Sequence, residues 1–535
     1  MKEIMLTLQH ISYTHPDREI LFEDISLTIT DQQKVALVGI NGSGKSTLLR
    51  IMAGELTPSA GAIQADSTPY YVPQHFGQFD KLTIAQALRV DRKLNSLHRI
   101  LDGDMHDDIF VSLDDDWGIE ERCREALAEW GLRNLDLQLR MDRLSGGEKT
   151  RVFLSGISIH TPRIVLLDEP GNHMDARGRA QLYKYLCQAR ESIVLVSHDR
   201  TLLNRLEEIY ELGSSGITIY GGNYDFYATQ KSIEIEAFTQ DLRNRERALR
   251  KAKGVEQDAL ERKQKLDARG RKKQEAAGIP TIALNTLRNN AERSSSRLKE
   301  VHSEKIGAIA DEIMQLRQAQ PDKDKMRIGF DNSALHRGKV LVSAMDVMHM
   351  YNQVPVFKER LSFKIYSGRR VAIKGENGSG KSTLIRIILG ILAPHSGAVA
   401  LAQNRAVYVD QDYSLIDRSR TVYEQTQAFN SGGLQEHEIK SRLTHFLFTR
   451  PYWDKRCDTL SGGEKMRLVL CCLTISPEAP DMILLDEPTN NLDIRNTEIL
   501  TAAINEYRGT LVVVSHDQVF MDEIGVEETI DLEPS

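Results

Sequence analysis

The stretch VALVGINGSGKSTLLR at 35–50 decides the fold. Its first four residues are a short apolar run suited to a buried strand, which breaks into glycines and resumes as the helix-forming STLLR. A phosphate-binding loop needs this order of strand, loop and helix. Small residues let backbone N–H groups wrap a phosphate at a helix N-terminus, Lys45 supplies charge for the β- and γ-oxygens, and Ser46 offers its hydroxyl to magnesium. The arrangement returns as VAIKGENGSGKSTLIR at 371–386, with Lys381 and Ser382 in the corresponding places. One such match could be a glycine-rich surface turn. Two, each set between a strand and a helix, fix the class as α/β with two phosphate-loop domains.

The duplication carries further motifs at nearly rigid offsets. Lys45 to Lys381 is 336 residues, Gln74 to Gln411 is 337, Ser145 to Ser461 is 316, and both Asp168 to Asp486 and His198 to His516 are 318. The drop from 337 to 316 places about 21 extra residues in the first copy, between Gln74 and Ser145. Two apolar runs, IVLLDE at 164–169 and MILLDE at 482–487, end in carboxylate pairs. Standing alone, such a pair is more often a helix cap. Downstream of a phosphate loop it reads as catalytic, with Asp168 or Asp486 organising magnesium beside Ser46 or Ser382, and Glu169 or Glu487 orienting or deprotonating the attacking water. His198 and His516, in the two VSHD segments, each close another β-branched run, where an imidazole can meet a γ-phosphate or serve a structural role.

The segments LSGGEKTR at 144–151 and LSGGEKMR at 460–467 carry a family resemblance. With the preceding motifs they make the chain similar to the ATP-binding cassette proteins, in which signature serines and glycines close on ATP held by the opposite domain. The resemblance implies two composite ATPase sites, head to tail. One would join Gly39, Asn41, Gly42, Gly44, Lys45, Ser46, Thr47, Gln74, Asp168, Glu169 and His198 to Ser461, Gly462 and Gly463. The other would join Gly375, Asn377, Gly378, Gly380, Lys381, Ser382, Thr383, Gln411, Asp486, Glu487 and His516 to Ser145, Gly146 and Gly147. ATP and Mg2+ are the implied ligands, and Tyr13 and Tyr351 match the aromatic that stacks on adenine. Such an aromatic near a first strand is usually core. The first copy reads DEPGNHMD where the second reads DEPTNNLD; Gly171 replaces a hydroxyl residue and predicts a slower or differently packed first site. Asp410 stands where the pattern has proline, and the sequence alone does not explain it.

Charge separates the chain into two characters. Net charge is -7, yet residues 241–300 hold 17 basic and 9 acidic side chains, a surplus of eight. Either a solvated helical linker or a limb for a polyanion fits such a run. Apolar spacing at Phe238, Leu242 and Leu249, then at Ile306, Ile309, Ile313 and Leu316, predicts two antiparallel helices broken at AAGIP, 276–280. Helices of roughly 40 residues would reach about 60 Å. Basic and amide side chains around the tip, at 269–290, suit RNA phosphate and sugar.

Together with YGGNYDFY at 220–227, the NHMD and NNLD segments, and an insertion at about 92–117, this limb resembles the ABC-F proteins, soluble ATPases of the ribosome. The domains implied are a first cassette at 1–226, a hairpin at 227–330 and a second cassette at 331–535. The implied partners are ribosomal RNA and transfer RNA of the P site, met by a cytoplasmic monomer whose cassettes pack as an intramolecular sandwich. The insertion matches the family's arm, but it ends in Asp114, Asp115 and Asp116. An RNA contact, a protein contact or none is compatible with it.

Five cysteines show no C-x-x-C pair and no metal-ligand spacing, which argues against a zinc-bearing DNA-repair ATPase. The start, MKEIMLTLQHISY, alternates like a strand rather than a leader, no window of about 18 apolar residues is present, and a basic extension after the second cassette is not expected. The rival reading, the energising subunit of a membrane transporter, is disfavoured by the fused cassettes and the basic limb. Within the ribosomal class, a general translation factor and an antibiotic-resistance protein are equally compatible with these residues.

Overall fold

The computed structural model describes residues 3–16, 20–172, 174–213, 216–276, 300, 303–316, 338–477, 479–490 and 492–532. The chain forms two compact units, one of Met1–Tyr224 with Lys325–Ser535 and one of Asp225–Asp324. The first unit holds both phosphate-loop domains.

Each of these domains is built on a parallel sheet. In the first the strand order is Tyr70–Val72, Ile164–Asp168, Ser192–Val196, Lys34–Val38 and Glu208–Gly213, with Gly216–Tyr220 added antiparallel at the edge. In the second it is Ala406–Val409, Met482–Asp486, Thr510–Val514, Arg370–Lys374 and Glu528–Asp531, all parallel. The central strands Ile164–Asp168, Ser192–Val196, Met482–Asp486 and Thr510–Val514 are buried along their whole length, which is why they read as unbroken apolar runs. Register then sets the chemistry. Asp168 and Leu37 both pair with Val196, and Asp486 pairs with Val514 beside the strand that feeds the second phosphate loop. The phosphate loop, the carboxylate pair and the VSHD turn therefore leave the sheet at one carboxyl-end edge, where open α/β sheets bind ligands.

A three-stranded antiparallel sheet accompanies each domain, Ile20–Thr30, Ile4–Thr14 and Ala60–Ala65 in the first and Leu361–Tyr366, Val340–Met348 and Ser396–Leu401 in the second. The predicted insertion contains the helices Asp91–Leu101 and Asp107–Leu113. Its acidic end is consumed locally: Lys93 lies 3.4 Å from Asp114 and 3.3 Å from Asp116, Arg122 binds Asp116 at 2.7 Å, and Trp117 donates to Asp115 at 3.0 Å.

The second unit begins in a helix of 53 residues, Tyr224–Ala276, about 80 Å long at 1.5 Å per residue. It is longer than sequence spacing suggests. Residues 303–316 are also helical. Phe238, Leu242, Leu249, Ile306, Ile309 and Leu316 are half-buried, Ile313 is buried, and Arg245 pairs with Glu312, so the two segments meet along the apolar seam. Of the expected break at 276–280, Ala276 is the last residue of the helix and 277–280 lie outside the described residues, as does most of the basic tip, although Arg269 is exposed on the helix.

Candidate active sites

Backbone geometry explains the glycines of the phosphate loops. Gly44 and Gly380 precede the helices Lys45–Met52 and Lys381–Ile388 with φ of 94°. A Cβ at Gly44 would lie 2.8 Å from the side chains of Leu21 and Phe22, and one at Gly380 would lie 2.4 Å from Val356, so only glycine fits both the angle and the space. Lys45 Nζ donates to the carbonyls of Gly39 at 2.7 Å and Ile40 at 3.1 Å. Lys381 Nζ does the same with Gly375 at 2.8 Å and Glu376 at 3.2 Å. Burial lowers the Lys45 pKa against the pull of Glu169, Asp493 and Asp168.

Ser46 Oγ donates to Asp168 at 3.1 Å, and Ser382 Oγ to Asp486 at 3.4 Å. Hydroxyl and carboxylate oxygens form the all-oxygen donor set that magnesium takes, so these four residues fit the ion. Burial raises the pKa of both aspartates, and the Ser and Tyr hydrogen bonds oppose it. Those tyrosines were not foreseen: Tyr71 donates to Asp168 at 3.1 Å and Tyr408 to Asp486 at 2.9 Å. Each lies three residues before the Gln of its copy, and that shared spacing is the signal that points to them. If they orient the carboxylates, Tyr71→Phe with Tyr408→Phe should raise the Mg2+ concentration that half-saturates turnover about tenfold, as for lost outer-shell partners of metal ligands. A magnesium titration at saturating ATP checks this; an unchanged midpoint contradicts it.

The carboxylates beyond the strands are strained and buried. Glu169 and Glu487 have φ of 49° and 48°, a conformation non-glycine residues adopt at a cost. The backbone N–H of each extends the sheet, to Val196 at 2.9 Å and to Val514 at 2.8 Å. Glu169 Oε1 is 3.3 Å from His198 Nε2, and Glu487 Oε1 is 3.4 Å from His516 Nε2. Burial, then the Asp168 charge, pushes Glu169 up to about 8. Burial pushes Glu487 up to about 7 against the nearby Arg179 and Lys381. His198 falls to about 3 and His516 to about 4, first by burial and next by Lys45 and Lys381 respectively, so both imidazoles are neutral near pH 7. Both Glu487 oxygens are buried, with no hydrogen-bond partner among the described residues. A carboxylate so placed, with acceptor capacity unspent and a pKa near neutrality, suits the orientation and deprotonation of water.

These shifts carry a stability consequence. The folded-state pKa of Glu487 lies above its ordinary 4.5, so its contribution is full below that pH and is lost as pH rises through about 7. Glu487→Gln should therefore stabilise the nucleotide-free protein by on the order of 2 kcal/mol more at pH 8 than at pH 5.5, a Tm difference of about 2 °C between the two gains. Thermal unfolding at the two pH values tests it, and a gain independent of pH contradicts it.

Residues of the two domains meet. The N–H of Asn41 donates to Asp493 Oδ2 of the second domain at 3.1 Å. Ser145 and Gly147 share a cleft of about 1030 Å³ with Glu376, Asn377 and Gly378, so the first LSGGE faces the second phosphate loop. Ser145 and Ser461 cap their own helices through boxes with Glu148 and Glu464, a second use of the S-G-G-E spacing. Gly463 packs on Asn496, where a Cβ would lie 2.3 Å from the amide nitrogen. A second pocket, of about 510 Å³, gathers Tyr351, Asn377, Lys381, Ser382, Thr383, Gln411, Asp486 and Glu487. Tyr351 is exposed there, edge-on to His349, whereas Tyr13 is partly buried against Phe22. Gln74 follows the strand Tyr70–Val72 and is half-exposed.

Both departures noted in the sequence have visible consequences. Thr489 Oγ1 lies 3.5 Å from Ser515 Oγ in the second domain; at Gly171, its counterpart, no atom of the described residues beyond its chain neighbours lies within 4 Å of where a Cβ would stand. Asp410 accepts the N–H of Ser414 at 2.8 Å and fastens the turn after the strand Ala406–Val409, a role proline could not take.

The pattern of the family described as "ABC transporter" matches residues 22–172 and 358–490. The chain is 30% identical to the tylosin resistance ATP-binding protein TlrC of Streptomyces fradiae, over 96% of this chain and 94% of that protein. It is also 30% identical to the energy-dependent translational throttle protein EttA of Escherichia coli O6:H1, over 98% and 91%. Among solved structures, the archaeal ribosome recycling factor aABCE1, in complex with the stalk protein aP1, superposes with a TM-score of 0.59 over 98% of this chain and 87% of that one, at 19% identity. That likeness concerns the fold. No helix among the described residues is long and apolar enough to cross a membrane.

Proposed function

Since the chain belongs to the ABC-F branch of the ATP-binding cassette proteins, and is an ATPase by that membership, we propose that it binds the ribosome with its cassettes closed on ATP and leaves when ATP is hydrolysed. Lys45 and Lys381 exchange their loop carbonyls for the β- and γ-oxygens of the nucleotide. Ser46 with Asp168, and Ser382 with Asp486, would hold magnesium, which would neutralise charge on the phosphates. Glu169 and Glu487 orient the attacking water and accept its proton, and neutral His198 and His516 offer a ring N–H toward the γ-phosphate. Asp493, hydrogen-bonded to Asn41, links the second cassette to the first phosphate loop.

The observation that carries the ribosomal part is the 53-residue helix that opens the basic limb. A tether needs neither that length nor a surplus of eight positive charges within 241–300. The limb reaches RNA, including transfer RNA in the P site, in the cytoplasm, and the protein acts as a monomer. One relative bears the name of a translational throttle and another that of a tylosin resistance protein; both outputs suit this limb, and protection assays on drug-treated cells choose between them.

Turnover of the purified protein is expected to rise several-fold on adding ribosomes and to stay unchanged with membrane vesicles. The opposite pattern would favour the transporter subunit.

A further inference from the structure

The two catalytic sites are not supported alike. Arg179, on the first-cassette helix Ala176–Gln188, is nearly buried, its side chain 12% exposed. Its Nε donates to the carbonyl of Met174 at 3.3 Å, within its own cassette, and its Nη1 donates to the carbonyl of His516 in the other cassette, also at 3.3 Å. The same Nη1 lies 3.9 Å from Asp199, which follows His198. One guanidinium thus ties the segment after the first carboxylate pair to the turn that carries the second catalytic imidazole. That imidazole has close neighbours: His516 Nε2 is 3.4 Å from Glu487 Oε1 and 3.3 Å from Lys381 Nζ.

The repeat offset of 318 puts Thr497 at the matching place in the second cassette. Its hydroxyl donates to the backbone carbonyl of Asp493, the cap of its own helix, at 3.1 Å, and its side chain is too short to repeat the reach of Arg179. The asymmetry recurs nearby. Arg200, directly after the first VSHD, crosses to Glu523 at 2.6 Å and Glu498 at 3.6 Å, whereas its counterpart Gln518 donates to Asp522 within its own helix. Arg179 and Arg200, which both cross between the cassettes at these turns, come from the first cassette.

We propose that Arg179 is a positioning residue supplied by the first cassette to the second catalytic site, holding the His516 turn so that its imidazole stays on Glu487, and that the site of Glu169 works without an equivalent. The side chain is held within its own cassette by Met174 and Asp199 before it meets His516. A planar guanidinium with several donors can hold this geometry, and a lysine ammonium reproduces it only in part. The chemical step at the second site then depends on a residue 337 positions away in sequence.

The inference rests on the assignment of Glu169 and Glu487, so the test isolates each site in the full-length protein. Glu169→Gln leaves turnover to Glu487, and Glu487→Gln leaves it to Glu169. Adding Arg179→Ala is expected to lower kcat at least tenfold in the first background, with KM for ATP changed less than twofold, and to cost at least five times less in the second. Arg179→Lys should recover part of the loss, and millimolar guanidinium should raise the turnover of Arg179→Ala in the first background, a response that a merely structural defect would not give. Should Arg179→Ala lose cooperative unfolding, the selective kcat loss of Arg179→Lys decides the matter. Equal losses in both backgrounds, or a change confined to KM, overturn the role of Arg179 alone. A Glu169→Gln parent no faster than the double Glu→Gln variant overturns the assignment of Glu487, and the role of Arg179 with it.

Discussion

Replacing both Glu169 and Glu487 with Gln is expected to lower kcat for ATP at least a hundredfold while ATP still binds. Each carboxylate sits on a strained, buried turn beside a neutral imidazole, and the amide keeps that shape but cannot accept a proton. Nucleotide affinity draws on other groups, namely the phosphate loops, Lys45 and Lys381, which the substitutions leave in place. The single variants should differ. Gly171 leaves open the space that Thr489 occupies toward Ser515, and this predicts the slower site in the first cassette. Glu487→Gln alone should therefore reduce turnover more than Glu169→Gln alone. Steady-state hydrolysis decides both points: a double variant with normal rates overturns the assignment of the carboxylates, and equal single losses remove the asymmetry.

The second large effect concerns the limb. Excising residues 274–286 and joining the flanking segments with a short turn should leave basal hydrolysis within about twofold and abolish any effect on peptide-bond formation or drug protection. Basal turnover should survive because every group in the catalytic clusters belongs to the unit of Met1–Tyr224 and Lys325–Ser535, and the excised residues belong to the other. The ribosomal effect should vanish because the helix Tyr224–Ala276 carries the chain about 80 Å along its own axis before the excised stretch ends it. Peptidyl-transfer assays with intact and shortened protein make the comparison. Full ribosomal activity in the shortened protein would reduce the limb to a tether.

How much of this was legible in the sequence follows from the physics of each contact. The phosphate loops, the carboxylate pairs and the VSHD turns were readable because short segments of backbone and neighbouring side chains do the chemistry, and the duplication exposes them twice. The capping boxes at Ser145 and Ser461 are equally local, but their S-G-G-E spacing serves two purposes at once, and the signature role masks the cap. Tyr71 and Tyr408 were missed because their hydroxyls act across neighbouring strands, on carboxylates 97 and 78 residues away. Arg179 is a stronger case: its partner is a backbone carbonyl, which no residue type announces, in the other cassette. At Asp410 and at Asp114–Asp116 the sequence showed a departure and a charge run, and only the fold reveals that both are spent locally, on a turn and on Lys93 and Arg122.

Sedimentation of the Glu169→Gln, Glu487→Gln protein through a sucrose cushion with ribosomes, in ATP, in ADP and without nucleotide, tests the central claim most directly. Retention with the ribosome pellet in ATP, and release into the supernatant in ADP or without nucleotide, is the result predicted for cassettes that close on ATP and open only after hydrolysis. Equal distribution of the protein in all three conditions would contradict it.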